Sequence, residues 1–179
     1  MAIKPTIYKL NANLTDLNRD VYDTVNLTIA LHPSETLERM MVRILAFCLN
    51  AEEGLVFTKG LSDVEEPDIW LRTLDEQTAV WIDIGEPSYD RMKKSCRLAK
   101  RTSIYSFNSK SQVWWEALAA KANQLPIEVI QFDWQDIEGL TELAGRTMNG
   151  SITITGDSAY IAFEKGECEV HWRYLKRLN

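Results

Sequence analysis

VEEPDIWLRTLDEQTAVWIDIGEPSY, residues 64–89, decides the reading of the fold. DIWLR (68–72) and AVWIDIG (79–85) are short, aromatic and β-branched, and the polar TLDEQT lies between them. That pattern predicts a β-hairpin. With the turn centred on Asp75-Glu76, facing residues have numbers that sum to a constant, and Asp68 sits opposite Asp83. Directly opposed residues in an antiparallel pair have Cβ atoms about 4.5–5.5 Å apart, and like charges there repel. The pair must therefore be solvated, be neutralised by a cation, or find hydrogen-bond donors.

Upstream, residues 5–31 read as two β-strands separated by LTDLNRD. His32-Pro33-Ser34 then ends the strand, and Ser34 is the expected N-cap of a helix. Leu37, Met40, Met41, Ile44, Leu45 and Cys48 follow helical spacing and form a buried stripe. Glu38 falls roughly 90° from the centre of that stripe, within reach of whatever the helix covers. Glu35 lies nearly opposite, where it is expected to be a solvated charge that pairs with Arg39 at i+4.

Downstream, LVFTKGL reads as a strand before the acidic loop SDVEEP. A helix is expected over 88–101, a strand at SIYSFN, a helix over Gln112–Asn123, a strand at PIEVIQFDW and a short helix over Asp136–Ala144. Residues 146–176 read as a β-meander, with Gly156-Asp157 and Lys165-Gly166 at its bends. No internal repeat or linker interrupts the chain.

Composition narrows the classes of function. The 179 residues are 45% hydrophobic and 26% charged, an ordinary globular balance. A net charge of -6 argues against a protein that works by non-specific attraction to nucleic acid. MAIKPTIYKL has no signal-peptide core, and no apolar run approaches a membrane span, so a cytoplasmic protein is expected. The 3 cysteines are widely spaced without a CxxC, which suits reduced core thiols. Phosphate-binding glycine loops are absent. His32 and His171 are paired with no nucleophile at recognisable spacing, and structural roles are expected for both.

The order helix, three strands, helix, strand over residues 34–108 resembles the PD-(D/E)xK nuclease core. Glu38, Pro67-Asp68 and Asp83 occupy its acidic positions. The resemblance implies that Glu38, Asp68 and Asp83 hold Mg²⁺ or Mn²⁺, with Asp68 and Asp83 catalytic; hard cations favour carboxylate oxygens, and a bound water would be activated. The family's lysine position is Gly85 here. Lys93 or Lys94, from the following helix, would have to assist the water, although both sit roughly 130° from the centre of the expected buried face of Met92, Ser95, Cys96, Leu98 and Ala99. Lys59 shares a strand face with Leu55 and Phe57. The competing reading satisfies Asp68 and Asp83 with Arg72, Arg91 or backbone N–H groups.

Across the whole chain, HPSETLERMM with RILAF, FTKGL, EEPDIWLR, WIDIGEP with KKSC, and SIYSFNS with WW resemble the YaeQ family. That family implies a bacterial protein with a variant of the nuclease core, without implying cleavage.

Residues 91–110 hold Arg91, Lys93, Lys94, Arg97, Lys100, Arg101 and Lys110 and no acid. They form either a phosphate-attracting rim or an ordinary solvated face. Trp114-Trp115 could stack bases, but adjacent helical residues diverge by about 100°, so at least one is expected to pack inward. The sequence thus predicts a single α/β domain over 1–179: a mixed sheet flanked by helices, with a restriction-endonuclease-like core at about 34–132 and extra β-strands at both ends. Its expected function is a metal-dependent nuclease acting on DNA or RNA, or else a non-catalytic binding or regulatory protein on a scaffold that has lost the chemistry.

Overall fold

Two long antiparallel strands open the computed structural model, which describes residues 4–178. β1 (Thr6–Asp16) buries Leu10, Ala12, Leu14 and Asp16 in strict alternation, the signature of a strand with one covered face. The turn to β2 (Val21–Leu31) is built by Asp16, whose Oδ1 accepts from the N–H groups of Asn18 and Arg19. Its Oδ2 takes a 2.7 Å bond from Arg19 Nε, which satisfies a carboxylate only 2% exposed.

The contacts divide the chain into two compact units, residues 1–49 with 133–172 and residues 50–132 with 173–179. In the first, strands run in the order β2-β1-β8-β9-β10, with β8 (Thr147–Thr155), β9 (Ser158–Phe163) and β10 (Gly166–Lys176, whose residues 173–176 fall in the second unit) forming the expected meander. β1 and β8 are parallel, and the other neighbours antiparallel. At the β8–β9 bend, Gly156 has φ +60° and exchanges two 2.8 Å bonds with the Asn18 side chain. At Gly150 a Cβ would lie 1.9 Å from the Ala162 carbonyl oxygen, so no other residue fits there.

α1 (Leu37–Leu49) and α4 (Trp134–Thr141) complete this unit. The cap of α1 is Thr36 rather than Ser34: its Oγ1 accepts from Arg39 N–H, while Ser34 pairs with His32 Nδ1. Residues 40–48 are all buried, so the helix is enclosed more widely than a single stripe requires. One consequence overturns the expectation for Glu35. Its side chain is 2% exposed and receives Arg39 at 2.8 Å and Arg43 at 2.6 Å. The i+4 pairing with Arg39 holds, but a second arginine turns a surface charge into a buried clamp.

The second unit has the order β7-β6-β5-β4-β3. β3 (Leu55–Phe57), β4 (Ile69–Arg72) and β5 (Thr78–Ile84) are antiparallel, whereas β5, β6 (Ala99–Ser106) and β7 (Ile127–Phe132) are parallel. α2 (Tyr89–Leu98) packs on β6, and α3 (Ser111–Ala122) packs beside α2. The core joins Met92, Ile104, Trp115, Ala122, Ile127 and Val129. Each fully buried aliphatic side chain there contributes roughly 1.5–3 kcal/mol. α2 ends at Leu98 instead of continuing to residue 101, because the chain enters the parallel ladder from Ala99 onward. Both units are therefore mixed sheets flanked by helices.

Candidate functional site

The hairpin has the expected register. Ile69 faces Ile82, Trp70 faces Trp81 and Leu71 faces Val80, with a bulge between Leu71 and Arg72 before the turn. Asp68 lies one residue before β4, and its N–H donates to the Ile82 carbonyl at 3.0 Å. Asp68 and Asp83 are thus brought together at the end of the ladder, and both are buried, at 4% and 3% exposure.

Donors from the protein itself neutralise the pair. Arg91 Nε donates to Asp83 Oδ2 at 2.8 Å and Nη2 donates to Oδ1 at 3.0 Å, a two-pronged grip that engages both oxygens. The rest of the guanidinium bonds the carbonyls of Val64 at 2.6 Å and Glu66 at 2.9 Å. Asp68 Oδ2 accepts from the Ile84 N–H at 2.8 Å. Burial pushes the Asp83 carboxyl above its ordinary range; Arg91 opposes the rise and Asp68 adds to it. Asp83 in turn holds the Arg91 guanidinium above its already high value. A guanidinium that keeps its proton cannot serve as a base. What this arrangement does is pin the acidic 63–66 loop to β5.

Arg91 is positioned by the start of α2, where the Ser88 hydroxyl accepts its N–H at 3.2 Å. Gly85, where the nuclease resemblance expects a lysine, has a backbone that a lysine would strain. Its φ is +110°, a conformation glycine adopts readily and lysine does not, and its N–H is committed to the Tyr105 carbonyl. Lys93 and Lys94 are both exposed; Lys94 pairs with Glu65 on the acidic loop, and Lys93 lines an open depression. Lys59 is exposed at the start of the Gly60–Ser62 turn. Glu38 is half-buried in the first turn of α1 and belongs to the other unit.

The Mg²⁺ or Mn²⁺ expectation does not stand. Among the described residues there is no group of 3 or more His, Cys, Asp or Glu side chains able to hold a metal ion. The physical reason is local: Arg91 already occupies both oxygens of the acid that would anchor the cation. The metal-binding, nuclease and hydrolase readings fall with it, and the carboxylates satisfied by Arg91 and a backbone N–H are what the molecule contains.

A second feature escaped the sequence because Leu98 reads as a buried helix position. It is 50% exposed. Around it lie two open depressions of about 350 and 560 Å³ that share Arg97 and Leu98. Lys93 borders the smaller, while Lys100, Trp70 and Arg72 border the larger. Arg72 stacks over Trp70, 5.0 Å from the ring centre. Of the basic run, Arg91 is spent on Asp83, Lys94 on Glu65 and Arg101 on Glu52. Lys93, Arg97, Lys100 and Lys110 remain exposed to solvent. Trp114 and Trp115 are not part of this surface: Trp115 is in the core, and Trp114 packs against it with its indole N–H on the Pro87 carbonyl.

Fold and site together define an α/β protein in which mixed parallel and antiparallel strands carry a buried carboxylate gripped by a half-buried arginine, beside a basic face. The YaeQ protein family matches residues 1–172, and the chain belongs to that family. It is 38% identical over 173 residues to the uncharacterized protein YaeQ of Escherichia coli (strain K12), covering 96% of each chain. Identity to the Salmonella typhi protein of the same description is 38% over 172 residues, covering 95% of each. The crystal structure of the YaeQ protein from Xanthomonas axonopodis pv. citri superposes with a TM-score of 0.93 at 31% identity, over 96% of this chain and 98% of that one. That from Pseudomonas syringae gives 0.91 at 36%, over 97% of each. No described helix is long and apolar enough to cross a membrane.

Proposed function

We propose that this YaeQ-family chain is a non-catalytic binding or regulatory protein, acting as a single functional domain, whose α2–β6 basic face engages a nucleic-acid strand, DNA or RNA. The observation that carries the reading is the Arg91 grip on Asp83, which makes the paired acids structural. The chain order α1, β3, β4, β5, α2, β6 supports likening the scaffold to the nuclease core with its chemistry gone. For the partner, Lys93 and Arg97 stand one helical turn apart on α2 and Lys100 follows on β6, positions suited to successive phosphates. The Trp70–Arg72 stack beside them offers a flat surface for a base.

Fluorescence anisotropy with labelled single-stranded DNA and RNA, in the presence of a chelator, tests the reading. Binding that persists in the chelator and weakens in Arg97→Glu supports it. Replacing one phosphate-contacting cation should lower the salt slope of affinity by about 1. Metal-dependent cleavage lost in Asp83→Ala would overturn the non-catalytic reading, and affinity unchanged in Lys93→Glu/Arg97→Glu would remove the basic face from it.

A further inference from the structure

β2 ends the strand order, and the hydrogen bonds around it show which of its groups face away from β1. The Lys9 N–H bonds the Arg146 carbonyl and the Leu17 N–H bonds the Ile154 carbonyl, so odd-numbered residues of β1 point toward β8. Even-numbered residues of β1 therefore exchange bonds with β2, where their partners are odd-numbered. The even-numbered residues of β2, Tyr22 to Ala30, direct N–H and C=O outward. Two further bonds agree with that parity: the Thr24 N–H turns to Asp23 Oδ1 at 2.7 Å, and the Ala30 carbonyl accepts Arg43 Nη2 at 3.0 Å.

Between these ends, no hydrogen bond among the described residues engages the outward N–H and C=O groups of Asn26 and Thr28. The strand VYDTVNLTIAL carries no proline, lysine or arginine, the usual devices that keep an exposed edge from pairing. Its one charge is Asp23.

We infer that β2 pairs antiparallel with β2 of a second copy of this chain, about a two-fold axis at Leu27. This register sets Asn26 against the second copy's Thr28, and each gains both of its missing bonds. It also sets Thr24 against the second copy's Ala30. The Thr24 N–H and the Ala30 carbonyl, which would have bonded each other, are the two groups already satisfied within the chain, while the Thr24 carbonyl and Ala30 N–H pair normally. A register centred on Asn26 would instead set the occupied Thr24 N–H against an open Thr28 carbonyl and leave that carbonyl unmatched. At the axis, Leu27 meets its own copy as a non-hydrogen-bonded pair, with Cβ atoms about 4.5–5.5 Å apart. Leu27 is half-buried between Val25 and Ile29, which are 7% and 0% exposed, so the contact extends an existing apolar row. Asp23 falls opposite Leu31 of the second copy, away from the other Asp23.

Sedimentation equilibrium of the full chain over a dilution series tests this. A reversible dimer is expected, with loss of the dimer in Thr28→Pro. Proline removes only an outward N–H there, which an edge strand tolerates. Far-UV circular dichroism checks that this variant folds; should it not, Leu27→Lys, which opposes two ammonium groups across the axis, is expected to be monomeric and decides the matter. Under mild oxidation Leu27→Cys should cross-link as a dimer and Val25→Cys should not, since only residue 27 faces itself. A wild-type chain that stays monomeric at its highest soluble concentration overturns the inference. So does a dimer that survives both substitutions, or a cross-link at residue 25 in place of 27. A strand donated by another protein would give the monomer result.

Discussion

Arg91 holds Asp83 by two nitrogens, at 2.8 and 3.0 Å, from a side chain 30% exposed onto one 4% exposed. Removing the cation strands a buried carboxylate, whereas removing both partners leaves a site that can be apolar. Breaking a fully buried pair costs about 3–5 kcal/mol, and the partial exposure of Arg91 places Arg91→Ala at about 2–3 kcal/mol in urea unfolding. Arg91→Met with Asp83→Leu should recover most of that loss. Burial already raises the Asp83 pKa against the pull of Arg91. Without Arg91 the folded value climbs further, so the single variant should regain stability as the pH falls and Asp83 takes up its proton. A loss independent of pH would mean the contact matters only as packing.

Gly85 is the second test of the same region. With φ at +110° and nothing within 4 Å of where a Cβ would stand, the cost of a side chain is backbone strain alone. Gly85→Ala and Gly85→Lys should each lose about 1–2 kcal/mol, nearly the same despite their difference in size. Thermal melts compare them directly. Gly85→Lys should not create divalent-metal binding by calorimetry, because Arg91 still occupies both Asp83 oxygens.

The hairpin, its register and the meander were legible because period-two alternation and turn residues are local signals. Even the constant sum of facing residues holds for Ile69, Trp70 and Leu71. The acids left two readings, a metal site or carboxylates satisfied by arginine and backbone N–H groups, and the structure holds the second. Whether two opposed aspartates bind a metal or an arginine depends on where a third element points its side chain, and Arg91 comes from a helix that follows a left-handed glycine. Glu35 escaped for a related reason: helical angle placed it opposite the stripe, but α1 is enclosed on more than one side. Leu98 failed in the other direction, since the helix stops there and the chain turns into β6 before that residue can reach the core.

His171 provides a pH-dependent prediction. Its Nδ1 lies 2.9 Å from Asp136 Oδ2 and its Nε2 lies 3.5 Å from Glu169. The hydrogen bond to Asp136 is the largest influence raising its pKa above the ordinary 6.5, with Asp136, Glu169 and Asp133 adding through charge. A raised folded-state value means the folded protein binds the proton more tightly. The stabilising contribution is complete below the ordinary histidine value and is lost as pH rises through the raised one. Imidazole proton shifts followed by NMR should titrate above 6.5, and Asp136→Asn should lower the midpoint. An unchanged midpoint in that variant would assign the shift to the remaining carboxylates.

The Glu35 clamp makes the strongest stability prediction. Glu35 and Arg43 are 2% and 5% exposed, and Arg39 is 15% exposed. Glu35→Ala leaves the Arg43 guanidinium buried without its carboxylate and should cost about 3–5 kcal/mol. Arg39→Ala, which removes the more exposed partner while Arg43 still neutralises Glu35, should cost about 1 kcal/mol. Arg43 also holds the Ala30 carbonyl at the end of β2. Loss of Glu35 frees Arg43 to seek water, so amide exchange should accelerate at residues 29–31 ahead of global unfolding. If Glu35→Ala and Arg39→Ala prove equally mild in urea, the carboxylate would be acting as a surface charge after all. Unchanged exchange at β2 would separate the clamp from the strand it touches.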